Sequence, residues 1–493
     1  MGPLMILGYL VGGWITIHVL IFLYNLYLHP LRNIPGSKIA AISELYTSYL
    51  LITGEYCRRT LELHDKYGPV IRTGPRELSF NTLTAFNEIY GGRLRTDHVY
   101  EKNPIAYIQG THESKNIFFA QSKAHGRYRK ILAPAFSESS VREVEPTIKY
   151  QVDGFIRALR DRRTGQGNFP TKEGVVDIDA WATYIVFDLL SALSFGEPFG
   201  CVEKGEEHPW VTNIFGVITH ATWVQAAHRL KPYHKILEKL FIPEWLEGKF
   251  ARHLDWTKKT LKKRIENPST KKDWLTFYEK GLDEEELFDS FNVLIAAGGE
   301  TTASTIAATL YYSTHTPGVM EKLVKEVRGR FASDSEIDIA EAKKLAFVRA
   351  VIDETMRIHP AVPVGLPRIV PKGGRFIDGH FVPGGSWVSA SQMSACLSPM
   401  NFFEPRKFHP ERWLGDKRFE NDNRGVFFPF SLGKRNCIGL HFAIAHITFI
   451  LTRLIWNFDI EAMPGNKDPL TLNEMGIWEP HSLWIRIADR KFD

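Results

Sequence analysis

The sequence predicts a mainly helical protein with a small β region, set behind one membrane-spanning helix. Three observations lead there. Leu4–Leu28 runs for 25 residues without Asp, Glu, Lys or Arg, enough to cross a bilayer as a helix. Apolar or amphipathic stretches of helical length recur at Ile39–Tyr67, Trp181–Leu193, Trp210–Ala227, Phe250–Glu266, Leu287–Tyr312 and Leu345–Ile358. Strand-like runs are brief: Pro69–Pro75, Leu78–Phe80 and the proline-rich Pro360–Arg368.

Composition sets the frame. With 493 residues, 44% of them hydrophobic and 12% aromatic, the chain can bury a large core, and length alone suggests two or three domains. No internal repeat or low-complexity tract is visible. Cys57, Cys201, Cys396 and Cys437 are scattered, with no Cys-x-x-Cys pair and no zinc-type cluster. That usage fits a reducing compartment, not a disulfide scaffold. A net charge of +5, without a basic block interleaved with aromatics, argues against nucleic acid as a partner.

At the N-terminus, Tyr24 and Tyr27 suit an interfacial belt. A cleaved signal peptide is the rival, weakened by the lack of a basic residue before the apolar run and of a small-x-small cleavage site. Arg32 and Lys38 follow the span, so the positive-inside bias puts the bulk of the chain in the cytosol. His29–Gly36 is a stiff, proline-bearing connector. Further on, His125–Leu132 opens a helix with basic residues on more than one face, and 161–174 is a polar loop. Tyr233–Trp245 mixes aromatic, aliphatic and basic residues. Two readings stay open there: a lip touching a membrane and admitting apolar substrate, or an ordinary surface helix.

Ala297-Gly298-Gly299-Glu300-Thr301-Thr302 interrupts the 287–312 helix. Two mid-helix glycines cost about 1 kcal/mol each against alanine. The expected compensation is a widened turn, loosened by glycine and by threonine back-bonding. Thr316-Pro317 is expected to cap the next helix, Thr316 at N-cap. Glu354 and Arg357 share one helix face, and His359-Pro360 stops that helix.

The chain converges on Phe430-Ser-Leu-Gly433-Lys-Arg435-Asn-Cys437-Ile-Gly439. Glycines on both sides let the backbone turn so that N–H groups can point at one sulfur. A thiolate held so is a soft metal ligand, and Arg435 favours its charge. The bland alternative is a buried thiol on a glycine-rich turn. This run resembles the haem-binding signature of the cytochrome P450 superfamily, Phe-x-x-Gly-x-Arg-x-Cys-x-Gly, and haem ligation by such a thiolate is the superfamily's own chemistry. Glu300-Thr301 is similar to its acid–alcohol pair, Glu354-x-x-Arg357 with Pro410-Glu-Arg412-Trp413 to its structural triad, and His29–Gly36 to the hinge of microsomal members.

The resemblance spans essentially the whole chain. It implies one mostly helical haem domain with a small β region (37–493), a hinge (29–36) and a transmembrane anchor (1–28), in place of several domains. It implies Cys437 as ligand of haem b, within a loop formed by Phe430, Gly433, Arg435 and Gly439. His125, Arg129, Arg368 and Arg435 become propionate partners. His125 stands where the family has Trp, which makes that contact pH-sensitive. His446 stands where Glu is common, which puts a surface or partner contact in doubt. Glu300 and Thr301 would relay protons, and Glu354, Arg357 and Arg412 would brace the scaffold. The nearest likeness is to filamentous-fungal members that oxidise terpenoids and other secondary metabolites. The expected activity is monooxygenation of an apolar small molecule with O2. Electrons would come from NADPH through a cytochrome P450 reductase whose acidic face meets Arg127, Lys130 and Lys434, at the endoplasmic reticulum membrane. Two rivals are a reductase-independent haem-thiolate isomerase or dehydratase, and a non-catalytic haem or lipid-binding protein. The pocket segments 92–120, 210–230 and 476–482 carry no readable substrate code.

Overall fold

The computed structural model describes residues 2–91, 100–107, 115–163, 174–267, 273–278 and 281–491. Most of the 92–120 pocket segment and of the 161–174 loop lies outside them. The first helix, α1 (Pro3–Leu23), continues through a π-helical turn at Tyr24–Leu28. The apolar segment Pro3–Tyr27 has mean hydropathy 2.1, and α1 within it has no buried residue. The expected single helix over Ile39–Tyr67 is three: α2 (Lys38–Ile42), α3 (Glu44–Thr53) and α4 (Tyr56–Tyr67). Ser43 breaks the first pair by accepting the Leu45 N–H as an N-cap. Gly54 breaks the second at φ +70, where a Cβ would meet Asn473 Cβ at 2.8 Å.

Strands β1 (Val70–Gly74) and β2 (Glu77–Phe80) follow, then α5 (Leu83–Tyr90), the two-residue β3 (Glu101–Lys102), α6 (Ser122–Leu132) and α7 (Glu138–Arg163). Next come β4 (Val175–Asp177), α8 (Ile178–Phe195), α9 (Cys201–Lys204), α10 (Pro209–Arg229), α11 (His234–Phe241), α12 (Glu244–Glu266) and α13 (Trp274–Tyr278). The central helix α14 (Glu284–His315) starts at a capping box between Asp283 and Glu286. α15 (Val319–Arg330) is capped by Gly318 at φ 78 and not by Thr316, because the turn after Pro317 needs a left-handed residue. α16 (Ile339–Ala342) and α17 (Ala346–Ile358) lead to Pro360–Arg368, which is extended but pairs only at β5 (Arg368–Ile369). A hairpin of β6 (Arg375–Ile377) and β7 (His380–Val382), then β8 (Trp387–Ala390), α18 (Gln392–Cys396), α19 (Leu440–Asn457), β9 (Phe458–Ala462) and β10 (Trp484–Asp489) complete the chain.

The five-stranded sheet has the order β1-β2-β8-β5-β3, with β2 and β8 parallel and the other pairs antiparallel. A three-stranded sheet, β4-β10-β9, brings the C-terminal strand beside the start of α8. α8, α14 and α19 are apolar enough to cross a membrane, yet they are mostly buried inside the protein. They form its core: Ile185 and Phe187, Ile306, Phe449 and Ile450 are inaccessible. α14 remains a regular α-helix through its glycines. Their compensation is close packing: a Cβ on Gly299 would lie 2.1 Å from Phe187 Cζ, and one on Gly298 3.3 Å from Leu190 Cδ1. The two glycines let α14 and α8 approach, which replaces the widened turn expected from sequence.

Candidate active site

The cysteine loop is built from tight turns. Ser431 donates its N–H to Phe428 O at 2.8 Å, Asn436 to Gly433 O at 3.1 Å, and Cys437 to Phe430 O at 2.8 Å. Gly433 has φ +75, and a Cβ there would strike Tyr90 O at 2.0 Å, so glycine is required. Gly439 has an ordinary φ of −84 and N-caps α19, and its N–H faces the sulfur. Burial pushes the Cys437 thiol up, while the Gly439 N–H and the charge of Arg129 pull it down. Arg129, not Arg435, is therefore the cation beside the sulfur. It also holds the loop, donating to Asn436 O and, at 2.8 Å, to Asn436 Oδ1. Arg435 turns away and donates to Ala120 O at 2.8 Å.

Cys437 is surrounded by protein atoms yet exposed, so it lines an internal space. Ala297 in mid-α14 is exposed too, and Thr301 one turn later is half-buried. On another side stands a cluster of cations. His125, Arg368 and Lys102 are buried, and among the described residues Arg435 Nη2 has no hydrogen-bond partner, with Glu101 Oε2 at 3.5 Å. Arg368 donates to Tyr107 Oη at 2.9 Å. Lys102 donates to Phe118 O and lies 4.3 Å from the Tyr107 ring centroid. Burial, then Arg368 and Arg435, lowers Lys102 to about 6. Burial, then Arg435, Lys102, Arg129 and Arg368, lowers His125 to about 4. With these neighbours the imidazole is neutral at physiological pH. The Arg368 and Arg435 charges that depress both neighbours would be relieved by an anion placed among them.

Thr301 Oγ1 donates to Ala297 O at 2.6 Å, the expected back-bond. Glu300 is buried and points off that face, toward Asp179 and Thr183 of α8. Burial, then the charge of Glu207, raises its carboxyl to about 7.

Glu354, Arg357 and Arg412 lie together, and none is accessible. Arg357 donates twice to Glu354, Nε to Oε2 and Nη2 to Oε1, both at 2.8 Å. Arg412 Nε lies 3.4 Å from Glu354 Oε2 and also pairs with Asp422. Trp413 Nε1 and the His409 N–H complete the carboxylate shell at 3.0 and 2.9 Å. Although burial pushes Glu354 up, Arg357 and Arg412 hold it below the usual carboxylate value. His446 is buried, its Nδ1–H donating to Phe442 O at 2.6 Å. Buried in the core, it makes no surface contact, in keeping with the doubt that His in place of Glu raised.

The family profile described as Cytochrome P450 matches residues 47–484. The chain belongs to the cytochrome P450 family. It is 49% identical over 480 residues, 97% of this chain and 95% of the relative, to cytochrome P450 monooxygenase lnbC of Aspergillus flavus. It is 44% identical to cytochrome P450 monooxygenase FrzC of a Cladobotryum species, covering 98% of this chain and 97% of that one. Trichothecene C-15 hydroxylase of Fusarium sporotrichioides is 35% identical, covering 93% and 92%. The chain is thus a cytochrome P450 monooxygenase, with the family's mostly helical fold and haem-thiolate chemistry. Its residues fit that cofactor: an accessible thiol deep in the protein, and beside it the Arg368 and Arg435 guanidiniums, with Arg435 Nη2 lacking a hydrogen-bond partner among the described residues. Sequence reasoning missed Lys102, Tyr107 and Asn436 in this site. Lys102 and Tyr107 lie in short segments without periodicity, while Asn436 stood unread inside the signature itself.

Proposed function

We propose that this cytochrome P450 hydroxylates an apolar small molecule in fungal secondary metabolism, using O2 and electrons from NADPH through a cytochrome P450 reductase. The observation that carries the reading is the pairing of an accessible Cys437 with an intact Glu300-Thr301 step on α14. Haem b is the cofactor proposed, bound by Cys437 with Arg435, Arg368, His125 and Arg129 toward its propionates. Once bound, it supplies oxygen activation, and thiolate donation favours O–O cleavage. The protein's own part is positional and protonic. Arg129 holds the loop through Asn436, and the Gly439 N–H orients the sulfur. Thr301 can both donate and accept a proton, and Glu300, raised to about 7, is poised to supply one near neutral pH.

The reductase is proposed to dock beside the cysteine loop, where Lys130 and Lys434 are exposed. Arg127 is engaged with Glu286 at 2.5 Å, so it contributes less than the sequence suggested. Residues 1–28 are the proposed single-pass anchor in the endoplasmic reticulum, 29–36 the hinge and 37–493 the cytosolic catalytic domain. The similarity to trichothecene C-15 hydroxylase makes a terpenoid-like substrate the first to try.

The test is product formed per NADPH consumed, with reductase present and peroxide assayed alongside. Thr301→Ala is expected to retain haem and much of its NADPH consumption while peroxide rises and hydroxylated product falls. A Thr301→Ala enzyme as tightly coupled as wild type would remove the hydroxyl from the proton route. An isomerase, a dehydratase or a passive binder would consume no NADPH at all.

A further inference from the structure

Glu300 opens onto a small space on the α8 side of α14. The i, i+4 pair Glu300 and Ser304 faces the i, i+4 pair Asp179 and Thr183, and the segment Trp478–His481 closes the gap. The space measures about 10 Å³, room for one water centre. Its polar groups are short of partners. Burial and then the charge of Glu207 raise the Glu300 carboxyl. His481 Nε2 and His359 Nδ1 are buried without a hydrogen-bond partner among the described residues. His359 stacks on Trp478, centroids 4.5 Å apart, and its Nε2 lies 3.3 Å from Ser304 Oγ. Asp179 accepts the backbone N–H of His481. Carboxyls gathered around a polar void in an apolar helix interface are strongly unfavourable as mere packing.

The space also has an outer end. Glu479 and Pro480 are exposed, His481 is half-buried, and Asp179 lies buried behind it. Titratable groups thus run inward from the surface through His481 and Asp179 to Glu300.

We propose that Asp179 and His481 form the entry of a proton relay that reloads Glu300 from solvent through a water held in this cavity. The relay rests on the reading of Glu300 and Thr301 as the proton donors. Each reload moves one proton and no electron. Solvent protonates His481 or Asp179, the water passes that proton to the Glu300 carboxylate, and Glu300 swings to release it on the Thr301 side. Monooxygenation consumes protons as O2 is divided between alcohol and water, so a reload is needed in every turnover.

The charges around the cavity suit a proton store. Burial, then Asp177, Glu300 and Glu207, raises Asp179 well above the usual carboxylate range, against the pull of the His481 N–H. Burial lowers His481, which Asp177 pulls up and Lys467 pushes down. Burial, then His481, lowers His359 to about 3. Asp179 is thus biased toward its protonated form and the two imidazoles toward their neutral form, while Glu300, at about 7, is half-loaded near neutral pH.

The experiment measures turnover and its solvent deuterium isotope effect against pH, in the full-length, haem-loaded enzyme with reductase. Asp179→Asn is expected to keep the reduced carbonyl spectrum and substrate binding. Its coupled turnover falls by about tenfold near pH 8 and little near pH 6, because protons must then come straight from solvent. The isotope effect rises, Asp179→Glu restores the wild-type profile, and His481→Phe shows a milder form of the same loss. An equal loss at every pH with an unchanged isotope effect would make Asp179 only a helix-start residue and overturn the relay. A wild-type profile in Asp179→Asn would overturn it too. If Asp179→Asn does not load haem, Thr183→Val decides, since it removes a hydroxyl from the same cavity: an unaltered profile there sinks the proposal. The underlying reading fails separately, through a tightly coupled Thr301→Ala.

Discussion

Cys437 stands between two glycines that serve different ends. Gly433 is fixed by a left-handed φ and by Tyr90 O, which leaves no room for a Cβ. Gly439 has an unstrained φ and is there for its N–H and for the start of α19. The sequence showed both glycines and the thiol, because spacing within a loop is a local property. It could not show which arginine faces the sulfur. Arg435 is near in sequence but is drawn to Ala120, 315 residues away, whereas Arg129 arrives from α6. Lys102 was illegible for a related reason: a two-residue strand carries no periodic signal, and burial of a lysine is decided by tertiary neighbours. The residue-scale prediction concerns the ligand. Reduced wild-type enzyme with carbon monoxide is expected to show the red-shifted Soret band of thiolate ligation, and Cys437→Ser to lose it. Retention of that band in Cys437→Ser would place the thiolate elsewhere.

Among the elements, the long apolar helices were readable and their joints were not. α14 and α17 lie close to their expected bounds because hydrophobic periodicity survives over many turns. The break of Ile39–Tyr67 at Ser43 and Gly54 depended on a cap and on the approach of Asn473, which periodicity does not encode. The glycines of α14 were noticed for the right cost and given the wrong compensation, since Phe187 is invisible from α14 alone. The scaffold carboxylate is a cleaner case, because i, i+3 spacing within α17 fixed one pair and the Pro410–Trp413 turn supplied the third member. Glu354→Ala leaves Arg357 and Arg412 charged and inaccessible, which costs about 3–5 kcal/mol for a broken buried pair. Equilibrium or thermal unfolding, with haem retention alongside, checks it. A loss below about 1 kcal/mol, the range of surface pairs, would mean that water enters the site.

For the whole molecule, the question is how the chain meets a membrane. α1 is exposed along its length, and α11 has no buried residue. Ile236, Leu240, Phe241 and Trp245 are 60% or more exposed, more contiguous apolar surface than scattered exposed side chains would give. The two parts touch: Trp14 Nε1 donates to Tyr233 Oη at 2.6 Å. Of the two sequence readings for Tyr233–Trp245, this placement favours the membrane lip, since a helix lying beside a spanning segment shares its interface. Deleting residues 2–23 is therefore expected to leave haem incorporation and the carbonyl spectrum intact, because α1 contributes nothing to the buried core. The truncated enzyme should still sediment in part with vesicles. Adding Ile236→Lys and Leu240→Lys should abolish that residual binding, because each lysine removes apolar burial and raises the cost of insertion by about 1–3 kcal/mol. Vesicle co-sedimentation at matched ionic strength measures it. Were the truncation alone to release the protein completely, α11 would be an ordinary surface helix, and the anchor would act by itself.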